Sequence, residues 1–92
     1  MEKLDIEKLI ASGETDKAEK EATLMFDAAA TDSAKADALF LLGRIAWKRG
    51  DKAGAISRYN EAVALDGYSE ASVALQQALD IMNFFNKDLY NP

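Results

Sequence analysis

Few side chains in this sequence could do covalent or acid–base chemistry. The 92 residues include no histidine and no cysteine, which excludes an imidazole base, a thiol nucleophile, a Cys/His zinc site and a disulfide. Three carboxylate pairs remain as candidates for acid–base work or for binding a hard cation: Asp5 with Glu7, Glu19 with Glu21, and Asp51 with Asp66. None has the order of oxygens of a calcium-binding loop, and no glycine-rich phosphate-binding motif occurs. We therefore expect no enzyme, no bound metal and no cofactor.

A second set of residues has the spacing of a binding surface. These residues are spaced so that they lie on one face of a predicted helix. They are Asp37, Phe40, Arg44, Trp47 and Lys48. Two cations beside two aromatic rings suit an acidic segment or a free C-terminal carboxylate of a protein partner, because a guanidinium can hold a carboxylate with two parallel hydrogen bonds. The other interpretation is structural: both rings pack against neighbouring helices, and Lys48 complements the helix C-terminus.

The composition predicts that helices position these residues. Seventeen alanines against five isoleucines and two valines favour helix over strand. The net charge of −5 and the pI near 4.6 argue against binding to nucleic acid or to an anionic membrane. No apolar run is long enough to span a bilayer, and the N-terminal residues lack the pattern of a signal peptide, so we expect a cytoplasmic protein.

Glycines divide the chain into five predicted helices of a single domain. Gly13, Gly50 and Gly67 each follow an amphipathic stretch, where a left-handed glycine can close a helix. Gly43 and Gly54 lie inside such stretches, where the missing side chain indicates close packing of two helices. Short connections predict that neighbouring helices run antiparallel. The predicted fold class is therefore all-α, an array of antiparallel helices.

The middle of the chain carries a repeat. Its small, large and turn residues are Leu39, Leu42, Gly43 and Ala46, then Gly50 and Asp51, then Ala55, Tyr59 and Ala62, then Leu65 to Gly67. This order resembles the tetratricopeptide repeat, a helical hairpin of about 34 residues, although leucine, alanine and glycine replace its first aromatic, its tyrosine and its closing proline. A weaker copy lies upstream, where Gly13 and Ala18 have the same separation as Gly50 and Ala55. The run from Leu79 to Pro92 resembles the C-termini of small stand-alone bacterial proteins of this family.

The resemblance implies a right-handed superhelix of helix hairpins. The chain would divide into an irregular first repeat at 2–32, a clear repeat at 36–67, a capping helix at 69–86 and a tail at 87–92. Proteins with this repeat are generally non-enzymatic scaffolds that hold a peptide or helix of a partner protein in a concave groove. That groove would contain the stripe from Asp37 to Lys48. The carboxylate-clamp subtype of the family is not expected, because it uses asparagine and lysine at groove positions and Phe40 and Arg44 do not reproduce them.

The fifth predicted helix is apolar over more than one face, whereas a helix on the surface of a small monomer should be polar over about half its circumference. The residues that need cover, and that form a candidate surface for self-association or for a partner, are Ile81, Phe84, Phe85, Leu89 and Tyr90. Cover could come from the chain's own helices, from the tail folding back into the groove, from a second copy or from another protein. An alternative function is therefore a structural subunit that forms a homodimer through this helix.

Overall fold

Within residues 1–90, five α-helices and the turns between them make up the fold. The computed structural model describes the backbone of residues 1–90 and the side chains of residues 1–84. The helices are α1 Lys3–Ala11, α2 Thr15–Ala28, α3 Asp32–Lys48, α4 Lys52–Leu65 and α5 Ala71–Tyr90, and no strand occurs within residues 1–90. The all-α prediction is confirmed. Helix α5 extends beyond its expected end at position 86, because no glycine or proline follows that position before Pro92.

The helices pack in two layers around α3. Each helix contacts the next one along the chain, and α3 also contacts α1 and α5. Helices α1, α3 and α5 therefore form one layer, and α2 and α4 form the other. Because α3 touches all four other helices, it buries much of its length, through Ala36, Ala38, Leu39, Phe40, Leu41, Gly43 and Ile45.

Small residues let α3 and α4 approach closely. Ala55 and Ala62 of α4 are completely buried. A Cβ atom at Gly43 would overlap the Tyr59 ring and lie 3.2 Å from the carbonyl oxygen of Ala55. The close packing predicted for Gly43 is confirmed, and it brings the ring of Tyr59 within 6.1 Å of the Phe40 ring, centroid to centroid. The same prediction is wrong for Gly54, because the atoms nearest to a Cβ there belong to Asp51, the residue that caps the start of α4 itself.

Two glycine turns close α1 and α3 in the same way. Gly13 and Gly50 have φ angles of 86° and 83°, in the left-handed region that glycine adopts without strain. The amide after each glycine donates to a carbonyl oxygen of the preceding helix at 2.9 Å in both turns, which completes a Schellman motif. The prediction for these two glycines is confirmed. It is wrong for Gly67, which has no positive φ, because α4 ends in extended backbone at Asp66.

Candidate functional site

A groove runs between α3 and α5, in the layer that contains α1. It encloses a cavity of about 350 Å³, near the lower end of the range for ligand pockets. The lining comes from α3, α4 and α5: Phe40, Arg44, Trp47, Tyr59, Ala74, Gln77, Ala78 and Ile81. We refer to it as the α3–α5 groove.

Three residues of the predicted stripe line this groove. Phe40, Arg44 and Trp47 follow one another at helical spacing, so α3 presents them together toward α5. Asp37 lies one turn earlier, where its carboxylate is 3.7 Å from the ammonium group of Lys3. Lys48 is exposed on the last turn of α3 and is not part of the lining. The stripe is therefore continuous on the helix, but only its middle forms the cavity.

The floor of the α3–α5 groove is apolar and belongs to the core. Phe40, Tyr59 and Ala78 are only 6%, 4% and 3% exposed. Phe40 therefore has both of the roles considered for it, in the core and in the groove. Its ring packs in the core, and its outer edge faces the cavity. Burial raises the pKa of Tyr59, and the nearby Arg44 guanidinium lowers it by a smaller amount. The phenol therefore stays neutral at physiological pH.

Arg44 is the cation inside the α3–α5 groove. Its guanidinium carbon lies 6.0 Å from the centroid of the Phe40 ring. Among the described side chains, no carboxylate lies within 4.0 Å of its nitrogens. The ion pairs of these residues are made by Lys3, Arg49 and Arg58. A guanidinium stays charged at any physiological pH and offers five N–H donors. Arg44 can therefore receive an external carboxylate without first breaking an internal ion pair.

The end of the α3–α5 groove near the C-terminus of α3 is basic. The ammonium group of Lys52 lies 4.4 Å from the centroid of the Trp47 ring, a cation–π distance. Lys48 is exposed next to Trp47 in the sequence. One acid near this end, Asp51, caps α4 by accepting the amide of Gly54 at 2.9 Å. Among the described residues, three cations lie at or near this end: Arg44, Lys48 and Lys52.

The opposite end is held by an acidic cluster around Lys3. The ammonium group of Lys3 binds both Asp37 of α3 and Glu70, which directly precedes α5. It also lies 5.5 Å from the centroid of the Phe40 ring. Burial lowers the pKa of Lys3, but the hydrogen bond to Glu70 and the charge of Asp37 outweigh it, so the pKa is raised. Two carboxylates and one ammonium leave this end negative, and the groove is therefore electrically polar along its length.

Sequence reasoning missed the groove residues that do not lie on α3. Ala74, Ala78 and Ile81 share one face of α5 and line the groove. Their helical spacing is visible in the sequence, but the fifth helix is apolar on several sides, so the spacing does not show which side faces the groove. The contacts of Lys3 with Phe40 and of Lys52 with Trp47 could not be predicted from the sequence, because they form only through tertiary packing.

A larger cavity lies on the side of the molecule formed by α2 and α4. Its volume is about 460 Å³. Its charged residues already pair with one another, since Arg49 lies 3.0 Å from Glu19 and Arg58 lies 3.5 Å from Glu61. We regard the α3–α5 groove as the better candidate because its cation is available and its floor is apolar.

The predicted self-association surface is described only in part. Ile81 is 39% exposed and lines the α3–α5 groove, and Phe84 is 69% exposed. The side chains of Phe85, Leu89 and Tyr90 lie outside the described residues. The hypothesis that Leu89 and Tyr90 occupy the groove concerns those same side chains.

The described part of the chain holds no group of three or more acidic side chains placed to bind a metal. In the same part, no helix combines the length and the apolar character needed to cross a membrane. No protein-family model matches the chain, and neither a curated protein nor a solved structure is detectably similar to it.

Proposed function

We propose that this chain is a non-enzymatic protein-interaction module, similar to tetratricopeptide-repeat proteins, that binds an acidic peptide segment of a partner in the α3–α5 groove. The observation that carries the proposal is Arg44: a guanidinium without a carboxylate partner among the described side chains, set at the edge of a cavity with an apolar floor. Such a group favours an anionic ligand with an apolar neighbour.

The repeat-like architecture supports this proposal. The turns at Gly13 and Gly50 differ by only 3° in φ, at 86° and 83°, and make the same hydrogen bond, which is the relation expected between two repeats. The pairs α1–α2 and α3–α4 would then be two hairpins, and α5 would be the first helix of a third unit. In that arrangement α1, α3 and α5 form the concave layer, on which repeat proteins bind extended partners.

Binding would combine two contributions. A carboxylate of the ligand accepts two hydrogen bonds from Arg44, and charged hydrogen bonds contribute about 1.5–3 kcal/mol each. An apolar side chain of the ligand covers the exposed part of Ile81 and the edge of Phe40, and burying such a side chain contributes about 1.5–3 kcal/mol. These contributions sum to about 4.5–9 kcal/mol, and ordering the peptide costs several kcal/mol of that sum, so we expect weak binding, with a Kd from about 100 μM into the millimolar range.

A peptide array tests the proposal directly. The native chain is probed against peptides of random composition in parallel with the variant Arg44→Glu. We expect the native chain to select peptides that carry Asp, Glu or a free carboxylate next to an apolar residue, and the variant to lose them. Arg58→Glu is the matched control, because Arg58 is exposed on α4 and lies outside the groove. Identical peptide selection by the native chain and the Arg44 variant would contradict the proposal.

A further inference from the structure

The α3–α5 groove continues beyond the cavity that contains Arg44. A second cavity of about 330 Å³ adjoins the first, and its lining residues are Phe40, Glu70, Val73, Ala74 and Gln77. Phe40, Ala74 and Gln77 line both cavities. We call the first the Arg44 cavity and the second the Val73 cavity, because each of these two residues lines one cavity and not the other.

The two cavities lie about one helical turn apart. On α3, Phe40 lines both, whereas Arg44 and Trp47 line only the first. On α5, Val73 lines only the second cavity and Ile81 only the first. The Val73 cavity is therefore displaced toward the N-termini of both helices by about one turn, or about 5.4 Å. Side chains two residues apart on an extended peptide point to the same side and lie about 6.6 Å apart, which matches this displacement.

The Val73 cavity favours an apolar side chain over an acidic one. Val73 is 60% exposed, so it offers uncovered apolar surface to a ligand. Glu70 lines the same cavity, and its side chain is 61% exposed. The ammonium group of Lys3 binds both Glu70 and Asp37, so the net charge of these three groups is −1. A ligand carboxylate is therefore repelled here, whereas the guanidinium of the Arg44 cavity attracts one.

Resting on the proposed function, we propose that the α3–α5 groove binds two side chains of one extended peptide. Asp or Glu enters the Arg44 cavity, and an apolar residue two positions away enters the Val73 cavity. Gln77 is exposed and lines both cavities. Its amide offers a donor and an acceptor to the peptide unit between the two side chains, which favours a peptide as the occupant. The residue between them points away from the groove, so its identity should not matter.

Peptides that differ at one position test the spacing by NMR titration, which measures weak binding. The reference is acetyl-Gly-Val-Asp-Ala-Leu-Gly-amide, which keeps an apolar neighbour beside the acid and places leucine two positions after it. The set is made in both chain directions, because either one places the two residues in the two cavities. In the direction that the groove accepts, replacing leucine with alanine should raise the Kd about fivefold, through the loss of a partly buried apolar side chain. Replacing it with aspartate should raise the Kd about tenfold or more, and exchanging the alanine and the leucine should cost as much as losing the leucine.

A variant of the protein tests the Val73 cavity itself. Val73→Lys replaces apolar surface with an ammonium group, so this variant should bind the aspartate peptide more tightly than the leucine peptide. Leu24→Lys is the matched control, because Leu24 is 54% exposed on α2 and lines neither cavity, and it should keep the native preference. Circular dichroism checks that each variant keeps its helices.

Two kinds of failure are distinguishable. The two-cavity proposal alone is overturned if binding depends on Arg44 but is equally tight for the leucine, alanine and aspartate peptides in both directions, or if Val73→Lys keeps the native preference. If no peptide loses affinity in the Arg44→Glu variant, the proposed function fails as well, and both proposals are overturned together.

Discussion

Replacing Gly43 with alanine tests how closely α3 and α4 pack beneath the groove. The added Cβ atom would overlap the Tyr59 ring and lie 3.2 Å from the backbone oxygen of Ala55. Tyr59 is only 4% exposed, so the one open space beside its ring is the α3–α5 groove that it lines. The helices must therefore separate, or the ring must leave its preferred rotamer.

The expected loss of stability is the difference between two effects. Overpacking a core costs about 1–3 kcal/mol, and this overlap places the substitution at the upper end of that range. Alanine in a helix returns about 1 kcal/mol relative to glycine. We therefore expect Gly43→Ala to lower the free energy of unfolding by roughly 1–2 kcal/mol and the Tm by roughly 5–15 °C for a domain of this size.

Chemical and thermal unfolding followed by circular dichroism measure the effect, and a second background isolates its cause. In a Tyr59→Leu chain the ring that meets the new Cβ atom is gone, so adding Gly43→Ala should be neutral or stabilising there. The reasoning is refuted if Gly43→Ala stabilises the native chain, or if it destabilises both backgrounds equally.

Three further predictions concern single interactions. Thr31 Oγ1 caps α3 by accepting the amide of Ala34 at 3.1 Å, so Thr31→Ala should lower the free energy of unfolding by about 1 kcal/mol in urea, whereas Ser33→Ala should not. The pKa of Tyr59 is raised by burial, so its contribution to stability is fully present below about pH 10, the pKa in the unfolded chain, and is lost as the pH rises through the raised pKa. The stability of Tyr59→Phe should therefore fall less steeply above pH 10, and equal slopes would contradict this. Lys3→Met should cost no more than about 1 kcal/mol, and the difference from the native chain should shrink in 1 M salt; a difference that persists would show that the packing of Lys3 matters more than its charge.

The elements of this fold could be predicted because their signals are local. Alanine bias and glycine turns are properties of short segments, and the turns at Gly13 and Gly50 form as expected because each glycine follows an amphipathic stretch. The prediction of a left-handed turn at Gly67 was wrong because a glycine after an amphipathic stretch also fits a helix that ends in extended backbone. The small residue at Gly43 correctly indicated close packing, since only a neighbouring helix explains a glycine there.

The groove could be predicted only along one helix. The spacing of Phe40, Arg44 and Trp47 identifies a shared face of α3, but it does not say where along that face the cavity begins or ends. Asp37 is drawn into an ion pair by Lys3, a residue of another helix. Lys52 reaches Trp47 only because α4 folds back against α3. Contacts of this kind depend on how helices pack, and a single sequence does not display that packing.

The affinity of one acidic peptide for the native chain and for Arg44→Gln tests the central claim most directly. Trp47 is the single tryptophan of the chain and lines the groove, so its fluorescence reports binding without a label. We predict that Arg44→Gln raises the Kd about tenfold or more, as expected for the loss of a charged hydrogen-bond donor pair, whereas Arg58→Gln leaves it unchanged. Equal Kd values for the native chain and Arg44→Gln, or an equal loss in the Arg58 control, would contradict the account.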